Sequence, residues 1–534
     1  MQLTMKIGDR LPVATVQVNA LQKEASDVLS LVQGLKNLFS PVSRLPREVL
    51  EKILTMRTLE GDLLTASCVC RHWRDTLTSS PRLWTKFQCA NVAQTLQYLA
   101  RSEPVPINVV GDFNSDIETL VALGSATNRF GSLALRLRPF DLLEVFHLFS
   151  TPAPALEHLE ISTTPYRGDG PAFRPTIPVT FLGGSAHALK SLYLNGINTT
   201  LNFSDFPALT HLTLITNLQV FDMSEMFLVF ATAKLLEEVS IKFSGPTTSI
   251  PGRQHAVRLP HLKKLSFSNT VGGFPKRLLS LLAMPSVEEV KLDVSLVGED
   301  TRTIQDFLPA RFRNFPHLLK VNNLKLDIPH SHCNIQFGGP GGEVSIRASR
   351  SGNREQNDIF QSHWLSSLDP TLIADVKDLT LRNYHPDGDS LDRCPVFNTL
   401  GTLGGLRSLV VERCNNTALV EALSPIKTGR ILFPRLESLA FQLTTEPTTI
   451  FPGLTDMARA RIRAGSPLSK ISSDQYTTFR RLDADALQHY VNCVELNTRA
   501  DSYSRESIVI PFQSIVAVSI YFQGVPFEPF VILT

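Results

Sequence analysis

The sequence has little excess charge of either sign. Lys and Arg number 52 against 50 Asp and Glu, which gives a net charge of +2, and charged residues make up 19% of the 534 residues. This balance argues against a protein that binds nucleic acid or a membrane surface through bulk charge. Hydrophobic residues make up 43%, so the chain can bury a large core and extensive disorder is not expected.

The sequence also lacks paired cysteines and long apolar runs. Its seven cysteines include no C-x-x-C pair, which indicates reduced thiols in an intracellular protein rather than a disulfide framework. No stretch approaches the ~18 apolar residues of a membrane span. A secretory leader is not expected, because its apolar stretch would be interrupted by Lys6, Asp9, Arg10 and Pro12. We therefore expect a soluble protein in the cytoplasm, the nucleus or both, with no membrane partner.

Recognisable catalytic motifs are missing. There is no G-x-S-x-G, no H-E-x-x-H and no dinucleotide-binding fingerprint after a strand. The cluster His330, His332 and Cys333 lacks further ligands at zinc spacing, and GGPGGE (338–343) lacks the Lys-Ser/Thr of a phosphate loop, which favours a flexible tip. These observations predict no enzyme activity, no cofactor and no metal.

One basic run and one amphipathic segment stand out. ARARIRAG (458–465) favours a solvated helix face over a nucleic-acid patch, because i, i+2 spacing does not align its arginines.

Residues 19–39 place apolar side chains at steps of 4, 3, 4, 3 and 4, which predicts an amphipathic helix. Such a helix in the N-terminal segment 1–40 could be half of a coiled coil, but packing on the next domain is favoured.

Residues 41–90 read as a compact helical domain. LPREVLEKIL carries Pro46 in a first helical turn and Glu48 near the positive end of the helix dipole. Asp62 is a candidate N-cap for a second helix, LLTASCVCRHWRDTL. Three short helices make a marginal core, so the domain is expected to dock on a neighbour.

The region 91–465 is dominated by a repeat. Nine segments from ALEHLEI (155–161) to RLESLAF (435–441) fit x-L-x-x-L-x-L at mostly 20 to 33-residue spacing, which is the signature of leucine-rich repeats. It predicts a curved α/β solenoid with a parallel concave sheet. Residues 329–360 read as an inserted loop or degenerate repeats. The cap region 466–534 is expected to hold a helix at 483–496 and a strand pair at 507–522.

Charged residues recur at the outward positions of the repeat strands. Glu237 and Glu238 are expected to face Lys263 and Lys264, which in turn face a further glutamate pair at 288–289. Opposite charges on neighbouring strands stabilise a sheet. A face of mixed sign is unsuited to a polyphosphate backbone and fits a protein or peptide ligand better.

The helical domain 41–90 resembles an F-box. The resemblance lies in its order of residue types: Leu45-Pro46, Glu48, Leu50, Ile53, Asp62-Leu63-Leu64, Ala66, Val69-Cys70, Trp73-Arg74 and Leu83-Trp84. The N-terminal helix and the irregular repeats resemble F-box proteins abundant in mushroom-forming fungi. The fold class this implies is an all-α three-helix domain followed by a leucine-rich-repeat α/β solenoid.

The resemblance implies a non-catalytic receptor subunit of an SCF-type cullin ubiquitin ligase. Its F-box would bind a Skp-family adaptor, and through it a cullin, while the repeats hold a protein substrate. Carried over by position, the adaptor contacts are Leu45, Pro46, Leu50, Ile53, Leu63, Leu64 and Cys70. Trp73, Leu77 and Trp84 would form the core of the domain. The alternative is a protein-interaction scaffold with an F-box and leucine-rich repeats that works outside a ligase.

Overall fold

The structure is a computed structural model of the chain, which is divided into two compact units. The first comprises residues 1–376 with 398–400, and the second comprises 377–397 with the residues from 401 onward. The description covers residues 2–496, without 58–61, 90, 113–116, 164–175, 179, 185, 200–205, 217–222, 244–255, 271–273, 297–302, 309–319, 330–331, 351–363, 384–399, 402, 415, 426–430, 443–449 and 474–485.

The first unit begins with helices. The first is α1 (Gln2–Phe39), and a helical block follows: a 3-10 turn at Pro41–Arg44, then α2 (Arg47–Arg57), α3 (Asp62–Ser67) and α4 (Arg71–Thr78). The sequence predicts one helix where α3 and α4 stand, and this is wrong. The chain turns at 68–69, and Cys70 adopts an extended backbone as the N-cap of α4.

A buried tryptophan joins the helical block to the sheet that follows. Trp84 lies in the 3-10 turn Pro81–Thr85, is fully buried, and donates from Nε1 to the carbonyl of Leu77 at 2.7 Å. Its ring meets Tyr98 edge to face with centroids 5.0 Å apart, and the Arg101 guanidinium lies 4.3 Å from its centre. The predicted docking of the block on a neighbour is thus confirmed.

A large parallel sheet follows in the first unit. Nine strands pair in parallel, each with the next along the chain. They are β1 (Lys86–Gln88), β2 (Ile107–Gly111), β3 (Phe130–Leu137), β4 (His158–Thr163), β5 (Ser191–Asn195), β6 (His211–Thr216), β7 (Glu238–Phe243), β8 (Lys264–Thr270) and β9 (Glu289–Leu296).

The repeat pattern explains this sheet. In L-x-x-L-x-L the first leucine, such as Leu209, is buried just before the strand. The next two, such as Leu212 and Leu214, alternate inward along it. Register keeps each apolar position beside its counterpart, so Leu212 pairs with Leu192. The predicted fold class, a helical block followed by a mixed α/β region with a parallel sheet, is confirmed.

Helices fill several connections between the strands. In the described residues of the first unit, the helices whose bounds are given after the block are α5 (Val92–Arg101), α6 (Ile117–Gly124), α7 (Pro139–Leu148), α8 (Met223–Thr232), α9 (Phe274–Leu281) and α10 (Pro370–Ile373).

A hairpin replaces the loop expected at 329–360. Strands β11 (His332–Gly339) and β12 (Gly342–Arg350) pair antiparallel, β12 continues the parallel order beside β9, and β11 pairs antiparallel with β10 (Asn323–Asp327). The loop interpretation is therefore wrong over these strands. Apolar residues alternate along both of them, and Pro340 and Gly341 form the turn. A Cβ at Gly342 would lie 2.6 Å from the carbonyl oxygen of Glu288, so this position requires glycine.

The described residues of the second unit contain five parallel strands and two helices of at least 8 residues. The strands are β13 (Asp378–Arg382), β14 (Ser408–Glu412), β15 (Ser438–Gln442), β16 (Lys470–Ser473) and β17 (Cys493–Leu496), each paired with the next. The helices are α11 (Asn416–Leu423) and α12 (Ile450–Arg463).

The C-terminal expectations are only partly met. The helix expected over 483–496 is wrong at its end, where β17 stands, and among the described residues of this stretch only 486–488 are helical. Parallel pairing therefore runs past the repeat boundary predicted at 465. The strand pair expected at 507–522 lies outside the described residues. No described helix is both long and apolar enough to span a bilayer.

The basic run on α12 is not a uniformly solvated face. Arg461 is fully buried, and its guanidinium donates to the carbonyls of Leu432 and Phe433 at 2.9 and 2.8 Å. Burial lowers the pKa of Arg461 to about 10. Arg459 donates to the hydroxyl of Tyr490 at 3.1 Å. The solvated interpretation is wrong for Arg461, which instead holds the loop before β15.

Replacing Arg461 with methionine is expected to destabilise the second unit. The change keeps the aliphatic length but removes two charge-assisted hydrogen bonds to the loop before β15, at a cost of about 2–3 kcal/mol. The carbonyl of Phe433 keeps the amide of Leu436 as a donor. Hydrogen exchange of β15 should accelerate by ~30-fold or more. Arg463→Met, at an exposed position of the same helix, is the matched control and should leave exchange unchanged. Equal exchange in both variants would contradict the structural role.

Candidate functional site

Helix α2 is held to the end of α4 by an arginine. The carbonyl of Pro46 accepts from the amides of Val49 and Leu50 at 3.0 and 3.1 Å, which starts the helix. The guanidinium of Arg47 then donates to the carbonyl of Ser79 and, at 3.3 Å, to the hydroxyl of Ser80. These hydrogen bonds hold one face of α2 against the rest of the helical block, and the other face is open to solvent.

The outer face of α2 carries an apolar stripe. Pro46, Val49, Ile53 and Met56 follow at steps of three, four and three residues, so they lie on one side of the helix. All four are exposed, and Met56 is 74% accessible. Glu51 and Thr55 lie on the opposite side of α2, and Lys52 borders the stripe. An aligned set of exposed apolar side chains on a short helix is typical of a protein-docking surface.

The turn between α3 and α4 adds further accessible apolar surface. Val69 is 57% exposed, Cys68 is exposed, and Leu64 and Cys70 are half-buried. This turn exists because the chain breaks after Ser67, whose carbonyl accepts from Nε of Arg74 at 2.9 Å. Because the helix is interrupted here, residues 68–70 lie together at an accessible turn. In a continuous helix they would point in different directions around the helix axis.

The seven residues expected at the adaptor contact divide into two groups. Pro46 and Ile53 are exposed, and Leu45, Leu64 and Cys70 are half-buried. Leu50 is 0% and Leu63 is 3% exposed, so these two pack inside the block and support the accessible residues from behind. Their contact with an adaptor stays a prediction. Among the residues expected in the core, Leu77 and Trp84 are buried and Trp73 is only half-buried.

Sequence reasoning missed three exposed members of this surface: Val49, Met56 and Val69. The sequence did indicate the first two, because Val49 and Met56 follow the same three- and four-residue spacing as Pro46 and Ile53. Val69 carried no such signal, since its exposure depends on the break between α3 and α4. We use the name "apolar stripe" for Pro46, Val49, Ile53 and Met56 only.

A second candidate surface is the charged outer face of strands β6 to β9. The ammonium of Lys263 lies 2.7 Å from Glu237, and that of Lys264 lies 2.7 Å from Glu238. Register places Lys264 between Glu238 and Glu289. The expected alternation of Glu and Lys pairs on neighbouring strands is confirmed.

A groove of about 330 Å³ runs across this charged face. Its middle is lined by the small hydroxyl residues Thr213, Ser240 and Ser266, which stand side by side on adjacent strands. Charged side chains stand around them: Glu238, Lys264, Glu289 and Lys291, with His211 at one end. A groove with both signs of charge and several hydroxyls can hydrogen-bond an extended polar peptide.

Ion pairing shifts the acidity of the outer carboxylates. The ammonium of Lys263, which hydrogen-bonds to Glu237, holds the pKa of that carboxyl below its usual range. The same pairing raises the pKa of Lys263. Because the folded-state pKa of Glu237 is lowered, its stabilising effect is present above the ordinary carboxyl pKa and is lost as pH falls through the folded value.

Replacing Lys263 with methionine should return the Glu237 titration to the ordinary range. The expected result is an upward shift of the carboxyl midpoint, read by NMR on selectively 13C-labelled glutamate. Lys264→Met is the matched control, because Lys264 pairs with Glu238 instead, and it should leave the Glu237 midpoint in place. An unchanged midpoint in Lys263→Met would contradict the pairing.

The two described members of the histidine–cysteine cluster, His332 and Cys333, lie next to each other on β11. Cys333 is fully buried, and burial raises the pKa of its thiol to about 12. His332 precedes it on the same strand and therefore points to the opposite face. His330 lies outside the described residues. Within the described part of the chain, no three His, Cys, Asp or Glu side chains group as metal ligands would.

Comparison with known proteins gives one family match. Residues 42–90 match the F-box-like family. No curated protein matches the chain.

Two solved structures share a remote likeness. The crystal structure of the TLR13–ssRNA13 complex has 12% identity and a TM-score of 0.32 over 69% of this chain and 49% of that chain, so the match spans about half of its length. A chain of the crystal structure of the Rad7 and Elc1 complex in yeast has 11% identity and a TM-score of 0.23 over 94% of this chain and 99% of that chain. With both TM-scores below 0.5, the fold described above stands on the strand pairing alone.

Proposed function

We propose that this protein is a substrate-recognition subunit of an SCF-type cullin ubiquitin ligase. The observation that carries the proposal is the coincidence of the F-box-like match at residues 42–90 with the apolar stripe on α2. A domain of this family implies binding to a Skp-like adaptor, and the stripe supplies apolar surface that such a partner would bury.

The adaptor contact would use the accessible residues of the helical block. Ile53 lies at the middle of the stripe, with Val49 on one side and Met56 on the other. Burying side chains of this size contributes about 1.5–3 kcal/mol each when they become fully covered. Leu45, Leu64 and Cys70, which are half-buried, would extend the contact at its margin.

The repeat region would hold a protein substrate. The charged face of β6 to β9 and its groove support this assignment, because charges of both signs on small polar strands favour a peptide over a nucleic acid. The mechanism is proximity: a substrate held by the repeats is placed near a ubiquitin-charged enzyme, and the ligation chemistry belongs to other subunits. The chain itself would be non-catalytic.

Co-purification tests this function against the scaffold alternative. The chain is expressed with a Skp-family adaptor and a cullin, beside the Leu45→Ala/Pro46→Ala double variant. We expect both partners with the wild type and a loss of about 2 kcal/mol or more of adaptor binding in the variant.

Two controls make the result decisive. Circular dichroism should show that the double variant remains folded. If a folded wild-type chain recovers the adaptor without a cullin, the protein is a scaffold that binds the adaptor outside a ligase. If it recovers neither, the proposal is wrong.

A further inference from the structure

Helix α1 carries a heptad seam. Counting Val18 as position a, every a and d position up to the end of the helix is apolar. These positions, which we call the seam, are Val18, Leu21, Ala25, Val28, Val32, Leu35 and Phe39. A spacing that alternates between three and four residues averages 3.5 per turn, which keeps a straight seam only when helices supercoil around each other.

The seam is exposed. Val28 is 61%, Leu35 is 51% and Phe39 is 74% accessible, and residues 15–36 of α1 are exposed on all sides. The expectation that this helix packs on the next domain is therefore wrong. A long helix with no packed face gains little stability from its own backbone, so a partner for the seam is required.

The composition of the seam identifies the partner as a second copy of this chain. We infer that α1 forms a parallel two-stranded coiled coil. β-Branched Val18 and Val32 occupy two of the four a positions, and Leu21 and Leu35 occupy two of the three d positions. β-Branched residues at a with leucine at d favour parallel dimers over larger assemblies.

The flanking positions and the buried area agree with a dimer. The g and e positions that face each other across a parallel pair carry no like charges: Gln17 meets Gln22, Glu24 meets Leu29, and Leu31 meets Lys36. If each of the seven seam side chains per helix buries about 80 Å², the contact covers roughly 1,100 Å², which is just above the ~1,000 Å² lower bound for a biological interface.

A parallel arrangement has a direct consequence for the rest of the chain. The seam ends at Phe39 and the helical block starts at Pro41, so both blocks of a dimer would emerge at the same end of the coiled coil. Two apolar stripes and two repeat regions would then be presented together, which raises the effective concentration of one site for a partner already held by the other. The inference rests on α1 and is independent of the proposed function.

Sedimentation equilibrium of the full chain at tens of micromolar tests the dimer. The wild type is expected at twice the 59.2 kDa mass of one chain. Val28→Glu/Leu35→Glu places charges in the seam and should give monomers. Ser26→Glu/Gln33→Glu, at exposed positions outside the seam, is the matched control and should remain dimeric. A monomeric wild type, or a dimer that survives the seam variant, would overturn the inference.

Cysteine cross-linking tests the orientation. Leu35→Cys places a thiol at a d position, so a parallel pair brings the two copies together and oxidation should yield a covalent dimer. Gln33→Cys, on the outer face, should cross-link far less under the same conditions. A dimer that dissociates in the seam variant but gives no selective Leu35→Cys cross-link is antiparallel, and the parallel assignment would then be wrong.

Discussion

Ile53→Asp is expected to weaken adaptor binding by at least ~30-fold, which corresponds to about 2 kcal/mol. Ile53 lies at the centre of the apolar stripe on α2 and is 40% exposed in the free chain. An aspartate there would be buried without a partner when the adaptor covers the stripe, so the complex bears the desolvation cost of a charge. Isothermal titration of the purified chain with a Skp-family adaptor measures the effect.

Thr55→Asp is the control that separates the stripe from the rest of α2. Thr55 is exposed on the same helix but about 160° around the axis from Ile53, and the substitution introduces the same charge. Adaptor affinity should stay within a factor of two or so of the wild type, as for surface changes outside a contact. A contact through the stripe would be contradicted if both variants lost adaptor affinity equally, or if both kept the affinity of the wild type.

Trp84→Ala is expected to destabilise the helical block by about 3–5 kcal/mol. Trp84 is fully buried, donates to the carbonyl of Leu77, and packs on Tyr98 of α5. Its removal leaves a cavity where the block meets the sheet and takes from the carbonyl of Leu77 one of its two donors, the other being the amide of Ser80. Thermal unfolding followed by circular dichroism should show an early transition for the block.

Trp73→Ala provides the comparison for this prediction. Trp73 is half-buried, so its removal creates less cavity and the loss should be clearly smaller than for Trp84. The Trp84 variant should also lose adaptor binding at temperatures above its early transition, although Trp84 lies outside the apolar stripe. Similar unfolding profiles for both variants would contradict the role of Trp84 as the link between block and sheet.

The parallel sheet could be predicted because its signal is local and repeated. Each L-x-x-L-x-L segment specifies two inward positions on a strand, and stacking follows because no single repeat buries its own apolar face. The same alternation at Glu237, Lys263 and their neighbours predicted the ion pairs on the outer face. Register was implicit in the pattern, since equivalent positions of successive repeats lie side by side.

Other features depend on contacts between distant residues. The hairpin β11–β12 lacks the leucine pattern, and its place beside β9 depends on the close approach of Gly342 to Glu288. The burial of Arg461 depends on two carbonyls about thirty residues upstream. Neither contact has a counterpart in the local sequence around the residue concerned, so periodicity alone could not reveal it.

The candidate site could be predicted from the sequence only in part. The residue types of the helical block indicated an adaptor-binding domain, but they did not separate Leu50 and Leu63, which are buried, from Ile53 and Val69, which are exposed. Helical spacing assigns faces only within one helix, and the break at 68–69 altered that assignment for α3 and α4. The position of α2, fixed by Arg47, decides which face solvent reaches.

Hydrogen exchange of the chain with and without a Skp-family adaptor tests the central claim most directly. The account predicts protection in two segments, 45–56 with the apolar stripe and 64–70 with the turn between α3 and α4, and no change along β6 to β9. Saturating adaptor that leaves both segments unprotected, or that protects the charged face of the sheet instead, would contradict the claim that the helical block is the adaptor-binding surface.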